Sequence, residues 1–318
     1  MKKLLKVLLI IILILALVAV GAGVYIVNKI KKLNYVPIQP HEIEVTEGIE
    51  ENLVEYRNIA LFGIDTRDDT YEGSRSDCIM IASINHDTKE IKIVSVYRDT
   101  YLNIPGRGLD KVNHAYAYGG PALSMSTLNT NLDLDITEFV TVNFTATKDI
   151  INAIGGVTLT VTDAEAKSIP RISSGGTYLL DGEQALAYGR IRKIDNDYKR
   201  TERMRTVVMA VFEKAKTMSI TELNKLANQL LPEIYTNISA TEILALIPKI
   251  YSYSIVESQG WPYETRGITL GGVWYGPPVN LAKNVAELHK TLFGKTEYVP
   301  TETVQEISNN IINKTGYR

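Results

Sequence analysis

The hydrophobic pattern divides the chain into unlike stretches. After Lys2, Lys3 and Lys6, the run from Val7 to Val27 holds no charged residue. A bilayer core is crossed by about 20 apolar residues in a helix, so this run is long enough to span one. A cleavable signal peptide is the rival reading, supported by the small residues at Ala19–Ala22, but its apolar region is usually only about 7–15 residues long. An uncleaved membrane anchor is therefore expected over residues 1–28. Lys29, Lys31 and Lys32 balance the lysines before the span, so the charge rule for orientation is nearly silent. A very short leading tip with a large trailing domain favours the domain lying outside the cytoplasm.

Residues 29–52 carry Pro37, Pro40 and several glutamates with little periodicity, and read as a stalk. The folded part begins with the short apolar run Asn58–Ile64, suited to a buried strand. Two β-rich runs, Cys78–Ile84 and Ile91–Val96, flank the turn Asn85-His86-Asp87-Thr88 and predict a hairpin. Gly119-Gly120-Pro121 precedes a helix through Leu128. Strands are expected at Phe139–Phe144 and Val157–Val161, with a short helix Thr147–Ile154 between them that glycine ends. From Asp181 the spacing turns helical: Gly182–Tyr188, Asp197 to about Met218, Thr221–Leu231, Thr241–Tyr251 and Val279–Phe293, the last with Pro278 just before it. Residues 294–318 are polar and are expected to fray. With no repeat and no internal linker, residues 53–293 read as one α/β (α+β) domain, a central mixed β-sheet flanked by helices.

Composition narrows the chemistry. The 318 residues carry 34 Lys and Arg against 36 Asp and Glu, so nothing global points to nucleic acid, and any anion site must be local. The one cysteine, Cys78, excludes a disulfide framework and a cysteine zinc site. The four histidines, His41, His86, His114 and His289, show no metal spacing. His114 reads first as a residue that orders its loop, with general-base catalysis as the alternative. Tyr251, Tyr253, Trp261, Trp274 and Tyr275 read first as packing residues, with a sugar-binding platform as the alternative.

The polar residues at predicted strand ends are of a particular kind. Asp65 and Arg67 follow the first strand, Ser74-Arg75-Ser76-Asp77 enters the next, and Arg98-Asp99 leaves the hairpin. Lys111, Arg190, Arg192, Asp197, Arg200 and Arg203 follow at later loop or helix-start positions. Such a mixture suits a phosphate ester with a metal. Mg²⁺ takes oxygen ligands, usually one or two carboxylates plus substrate phosphate, and Asp65 with Asp77 is the natural pair. Arginine binds phosphate through a planar fork and stays charged. Each residue taken alone could equally form a surface salt bridge. If Asp197 caps the long helix, Arg200 sits in its first turn, where positive charge opposes the helix dipole unless an anion is bound there. Arg200, Met204, Val207 and Val211 share one helical face. That face is either a core stripe with a snorkelling arginine or a site for an amphiphile whose phosphate meets the arginines.

In family order, the motifs Phe62-Gly63-Ile64-Asp65-Thr66-Arg67, Ser74-Arg75-Ser76-Asp77, Arg98-Asp99-Thr100-Tyr101, Lys111-Val112-Asn113-His114-Ala115-Tyr116 with Gly119-Gly120, Gly155-Gly156-Val157, Asp181–Tyr188, Arg190-Ile191-Arg192 and Asp197–Arg200 resemble the LytR-CpsA-Psr family of cell-envelope proteins. The resemblance covers about residues 56–215. It implies a central sheet flanked by helices, with an apolar pocket for a polyprenyl chain. It implies transfer of a glycan phosphate, as in wall teichoic acid or capsule, from a polyprenyl pyrophosphate carrier to peptidoglycan. Carried over by motif, Asp65 and Asp77 would hold Mg²⁺ (or Mn²⁺), and Asp65, Arg75, Asp77 and Arg98 would form the catalytic set. Arg75, Arg98, Lys111, Arg190, Arg192, Arg200 and Arg203 would bind the pyrophosphate, and Met204, Val207 and Val211 the lipid. An acceptor sugar hydroxyl would attack the glycan-side phosphorus and polyprenyl phosphate would leave; the general base stays open. Two positions depart from the family pattern: Met204 stands where glutamine is usual, and Tyr97 where proline is common. A polyprenyl pyrophosphate hydrolase and a non-catalytic carrier-lipid binder are the competing functions. A transcription regulator fits poorly, because no basic reading helix is present.

Overall fold

A computed structural model describes residues 33–66 and 73–317 of the chain. The expected membrane span and Arg67 lie outside the described residues, among which no helix is long and apolar enough to cross a membrane.

The strands, in chain order, are β1 (Asn34–Tyr35), β2 (Tyr56–Ile64), β3 (Ser76–Asn85), β4 (Glu90–Val96), β5 (Tyr101–Ile104), β6 (Gly108–Lys111), β7 (Glu138–Asn143), β8 (Val157–Val161), β9 (Gly176–Leu180), β10 (Tyr235–Thr236), β11 (Ser254–Trp261), β12 (Ile268–Leu270) and β13 (Val273–Tyr275). The longer helices are α1 (His114–Leu132), α2 (Phe144–Ala153), α3 (Gly182–Gly189), α4 (Asp197–Lys216), α5 (Ile220–Leu230), α6 (Ala240–Leu246), α7 (Leu281–Phe293) and α8 (Glu302–Thr315). Seven strands make the central sheet in the order β1-β10-β7-β2-β3-β4-β11. The sheet is mixed: β2 pairs with β3, and β3 with β4, antiparallel, while β7 runs parallel to β2 and β11 parallel to β4. The C-terminal ends of β2, β4, β7 and β11 and the start of β3 therefore share one edge.

Alternation along the central strands sends side chains to two different layers. Phe62, Ile64, Ile79, Ile81, Val94 and Val96 face one side, where they join Tyr116, Leu128, Leu288 and Ile311 from α1, α7 and α8 in the main core. Phe62 meets Tyr116 edge-on with ring centroids 5.2 Å apart, and the Tyr116 hydroxyl reaches Thr141 at 3.0 Å. On the other side Met80, Ile91 and Ile93 pack with Met204, Val208 and Phe212 of α4. A smaller core under the β8–β9 hairpin joins Ile151, Leu180, Tyr188 and Val207.

The expected hairpin and the strands at Asn58–Ile64 and Val157–Val161 are present within a few residues, but several boundaries move. Helix α2 begins at Phe144 because the Asn143 side chain accepts from Ala146 N–H at 2.7 Å and caps it there. Asn196, not Asp197, caps α4, so Asp197 occupies the first helical position. Helix α1 starts before Gly119-Gly120 and kinks across them: Gly120 takes φ 62, and a Cβ on Gly119 would lie 2.7 Å from the Leu123 side chain.

Two expectations are corrected. The segment read as a stalk packs onto the domain from Leu33 onward. Residues Asn34–Tyr35 add β1 to the sheet, and Ile43, Ile49 and Leu53 enter the main core. The tail read as frayed forms α8, whose Val304, Ile307 and Ile311 face the same core.

Candidate active site at the sheet edge

Asp77 owes its position to a backbone irregularity. Gly63 pairs with Cys78 and Ile64 with Ser76, so Asp77 is the extra residue of a bulge where β3 begins. Gly63 is needed there, because a Cβ would come within 2.8 Å of the Cys78 Cβ. Asp65 follows the last residue of β2 and is exposed, as is Arg75 just before β3.

Three guanidiniums converge on Asp77. Arg98, two residues beyond β4, donates from Nη1 to both carboxylate oxygens at 3.0 Å. Arg192, after α3, donates to Oδ2 at 3.2 Å. Arg200, in the first turn of α4, places Nη1 3.6 Å from Oδ2 and pairs through Nη2 with Asp197 at 2.9 Å. Arg98 also faces Asp99 at 3.4 Å and Asp197 at 3.5 Å. Lys111 holds Asp99 at 2.7 Å.

Arg200 is 1% exposed, yet its Nε and Nη1 make no hydrogen bond. Buried donors normally find partners, and leaving one unmatched costs about 1–3 kcal/mol, more for a charged group. Nη1 faces the Asp77 carboxylate at 3.6 Å, beyond hydrogen-bond length, so these are charged donors that a bound anion would satisfy. Burial, followed by the nearby Arg98 and Arg192 charges, lowers the Arg200 pKa, although Asp197 and Asp77 act to raise it. Burial likewise raises the Asp197 carboxyl, against the pull of Arg200 and Arg98. For Arg98 burial acts to lower the pKa, but Asp77, Asp197 and Asp99 outweigh it and the net shift is upward.

Beneath the cluster, between the sheet and helices α2, α3 and α4, lies an apolar cavity of about 200 Å³. Leu61, Met80, Val140, Leu186, Met204 and Val207 are among its walls. Of the predicted lipid residues, Met204 and Val207 line it. Val211 does not; it packs with the smaller core beyond. Val208, one residue on from Val207, turns to the cavity instead. The alternate residues Val140 and Val142 of β7 were not singled out from sequence, although their period-two spacing carries that signal. Arg190 stands at the cavity mouth with its guanidinium 4.2 Å from the Phe144 ring centroid. It also borders an outer groove with Lys148, Lys167, Arg192 and Lys193.

Arg203 does not join the cluster. It is buried with Glu165, to which its Nε donates at 2.6 Å, and with Asp195, so its charge is already matched by two carboxylates. His114 Nδ1 lies 2.9 Å from Asp110, which the Tyr118 hydroxyl also reaches at 2.9 Å, in keeping with the loop-ordering reading. Cys78 lines the cavity, and burial pushes its thiol up to about 12, far from a reactive thiolate. Tyr97 uses the N–H that a proline would lack: it donates to the Trp261 carbonyl at 3.0 Å and joins the ends of β4 and β11.

The oxygen donors at the edge, Asp65, Asp77, Asp99 and Asp197, are of the type that Mg²⁺ selects. Among the described residues no group of three or more His, Cys, Asp or Glu side chains is placed to hold a metal alone. A hard cation here would draw its remaining ligands from substrate oxygens and water, as Mg²⁺ commonly does.

The teichoic acid transferase TagT of Bacillus subtilis (strain 168), in full polyisoprenyl-teichoic acid–peptidoglycan teichoic acid transferase, is 37% identical over 225 residues, which cover 66% of this chain and 70% of TagT. A structure of TagT bound to LIIa-WTA superposes with a TM-score of 0.65 at 31% identity, over 77% of this chain and 92% of that one. The LytR-CPS2A-psr family protein YwtF (TagT) with bound octaprenyl pyrophosphate lipid gives a TM-score of 0.56 at 28% identity, over 82% and 91% of the two chains. The LytR_cpsA_psr family model matches residues 27–291, which include every strand of the central sheet and every arginine around Asp77, and the chain belongs to that family.

Proposed function

We propose that this protein transfers a glycan phosphate from a polyprenyl pyrophosphate carrier to a hydroxyl of peptidoglycan, forming a phosphodiester link. The observation that carries the reading is the arginine cluster on Asp77, with buried Arg200 keeping N–H donors that lack a hydrogen bond, beside an apolar cavity that Arg190 borders. A lipid pyrophosphate has the same two halves, a polyanion and a hydrocarbon tail. The names of the relatives support the same donor and acceptor.

In this reading the polyprenyl chain enters between the sheet and α4, over Met204 and Val207. Arg98, Arg192 and Arg200 bind the pyrophosphate, with Arg75, Arg190 and Lys111 around them. Phosphoryl transfer depends chiefly on positioning and on neutralising charge, and fixed guanidiniums in a partly dry site supply both. The basic groove bordered by Arg190 and Lys193 takes the anionic glycan. Asp65 and Asp77 are the residues that would hold Mg²⁺ or Mn²⁺, which when bound would offset charge on the phosphates. The run Val7–Val27 anchors the chain as a single span, with the domain on the extracytoplasmic side.

The test is to supply a synthetic lipid-pyrophosphate glycan with and without peptidoglycan. Acceptor-linked product that requires peptidoglycan, and that chelation by EDTA abolishes, is the expected result. Glycan phosphate released to water at the same rate in both cases would replace this function with hydrolysis, and no turnover with intact binding would replace it with a carrier-lipid binder.

A further inference from the structure

We infer that the β12–β13 hairpin is the platform on which a sugar of the acceptor glycan stacks, with Trp274 as its binding surface. This rests on the transferase reading of the neighbouring site. In-line displacement at phosphorus places the attacking oxygen opposite the leaving group. On that reading the lipid tail occupies the apolar cavity on the α4 face of the sheet, so the lipid phosphate leaves toward that face. The acceptor must then approach Arg98 from the other face.

The hairpin lies on that other face. Leu270 and Tyr275 pack against the main core, and the Tyr275 and Tyr101 ring centroids are 4.7 Å apart. Gly276 N–H donates to the Asp99 carbonyl at 2.9 Å, which ties the end of β13 to the residue after Arg98. Lys111, already paired with Asp99, sits 5.7 Å from the Tyr275 ring centroid. The hairpin is thus connected to the arginine cluster through a single carboxylate residue.

Trp274 is 44% exposed, and the way it is held suits stacking. A Cβ on Gly267 would lie 2.8 Å from the indole Nε1, and one on Gly276 would lie 3.4 Å from Cη2. Two glycines therefore let the ring lie across the hairpin backbone. Tyr317 braces the same place, donating from its hydroxyl to the Gly267 carbonyl at 2.9 Å. A flat, backed aromatic ring loses little conformational freedom on binding and offers an apolar face to a pyranose. Val273 beside it is exposed as well.

The experiment uses the full chain in detergent and reads binding apart from turnover. The chain has two tryptophans, and Trp261 is fully buried, so solvent-sensitive fluorescence comes from Trp274. Peptide-free peptidoglycan glycan strands should shift and quench that emission in the absence of any donor, and Trp274→Phe should remove the change. In the coupled assay Trp274→Ala should raise the acceptor KM about tenfold, leave donor binding unchanged, and be partly rescued by Trp274→Tyr. A binding signal that Trp274→Phe removes, in a protein that transfers nothing, would sink the transferase reading and leave the platform standing. Glycan strands without effect on the emission, or vesicles of phosphatidylglycerol shifting it in their place, would overturn the platform.

Discussion

The Asp77 carboxylate stands 3.0 Å from Arg98 while it also faces the buried Arg200 at 3.6 Å, so one acidic side chain holds two cations from distant parts of the chain. The hydrogen bond to Arg98 spans 21 positions, and the contact of Arg200 with the Asp77 backbone carbonyl spans 123.

Asp77→Ala removes the partner that Arg98, Arg192 and Arg200 share. Breaking one side of a buried ion pair typically costs about 3–5 kcal/mol. Part of that cost is offset here, because Asp197 still faces Arg200. Urea unfolding is expected to show a loss of about 2–3 kcal/mol, with transfer activity abolished. Added pyrophosphate should restore part of the stability, because an anion replaces the missing carboxylate.

Arg203→Ala should behave in the opposite way. Arg203 is matched by Glu165 and Asp195 and stands apart from Asp77. A stability loss of about 3 kcal/mol is expected in urea unfolding, with donor binding per folded molecule unchanged. Arg200→Ala, in contrast, should weaken donor binding strongly.

Met204→Trp tests the cavity. The larger side chain projects into a space of about 200 Å³ that Met204 already borders. Overpacking costs about 1–3 kcal/mol, but the clearer effect is on ligand length. Isothermal titration should show weaker binding of a long polyprenyl pyrophosphate and little change for a short-chain analogue.

His289 predicts a pH dependence of stability. Burial lowers its pKa to about 4, with a further small push from Lys295 and opposing help from the Leu132 carbonyl. The unfolded chain takes the proton near pH 6.5, so between pH 6.5 and 4 it binds more protons than the native state. Stability is therefore complete above about pH 6.5 and falls as the pH drops toward 4, by about 3 kcal/mol. Asp133 nearby has a raised pKa, chiefly from burial, and acts in the opposite sense as it protonates. Urea unfolding at pH 7 and pH 4.5 should show the loss, and His289→Leu should flatten it.

The parts of the fold legible in sequence are those whose local pattern and tertiary role agree. β2, β3 and β4 are apolar runs because both of their faces are covered, and the Asn85–Thr88 turn fixes their pairing. β11 was not foreseen. It is an edge strand with Glu257, Ser258 and Gln259 along it, and it pairs with β4 across a long stretch of chain. Helix α8 was hidden by the polar residues around its stripe, although Val304, Ile307 and Ile311 keep helical spacing. In the site, the gathering of Asp77 with Arg98, Arg192 and Arg200 was readable from Asp and Arg at strand ends and helix starts. The separation of Arg200 from Arg203 was not. They lie three residues apart in one helix, and their roles differ only through which carboxylates other elements bring to them.

The two-residue strand β1 has a further consequence. It runs parallel to β10, which is antiparallel to β7, and β7 is parallel to β2, so β1 points against β2. Asn34 shares a row with Tyr235, Thr141 and Phe62, and β1 starts at its end nearer the rim where Asp65 and Asp77 stand. β1 lies three places from β2, about 14 Å at normal strand spacing. The first strand of the domain thus enters the sheet from the side on which Arg98, Arg192 and Arg200 gather around Asp77.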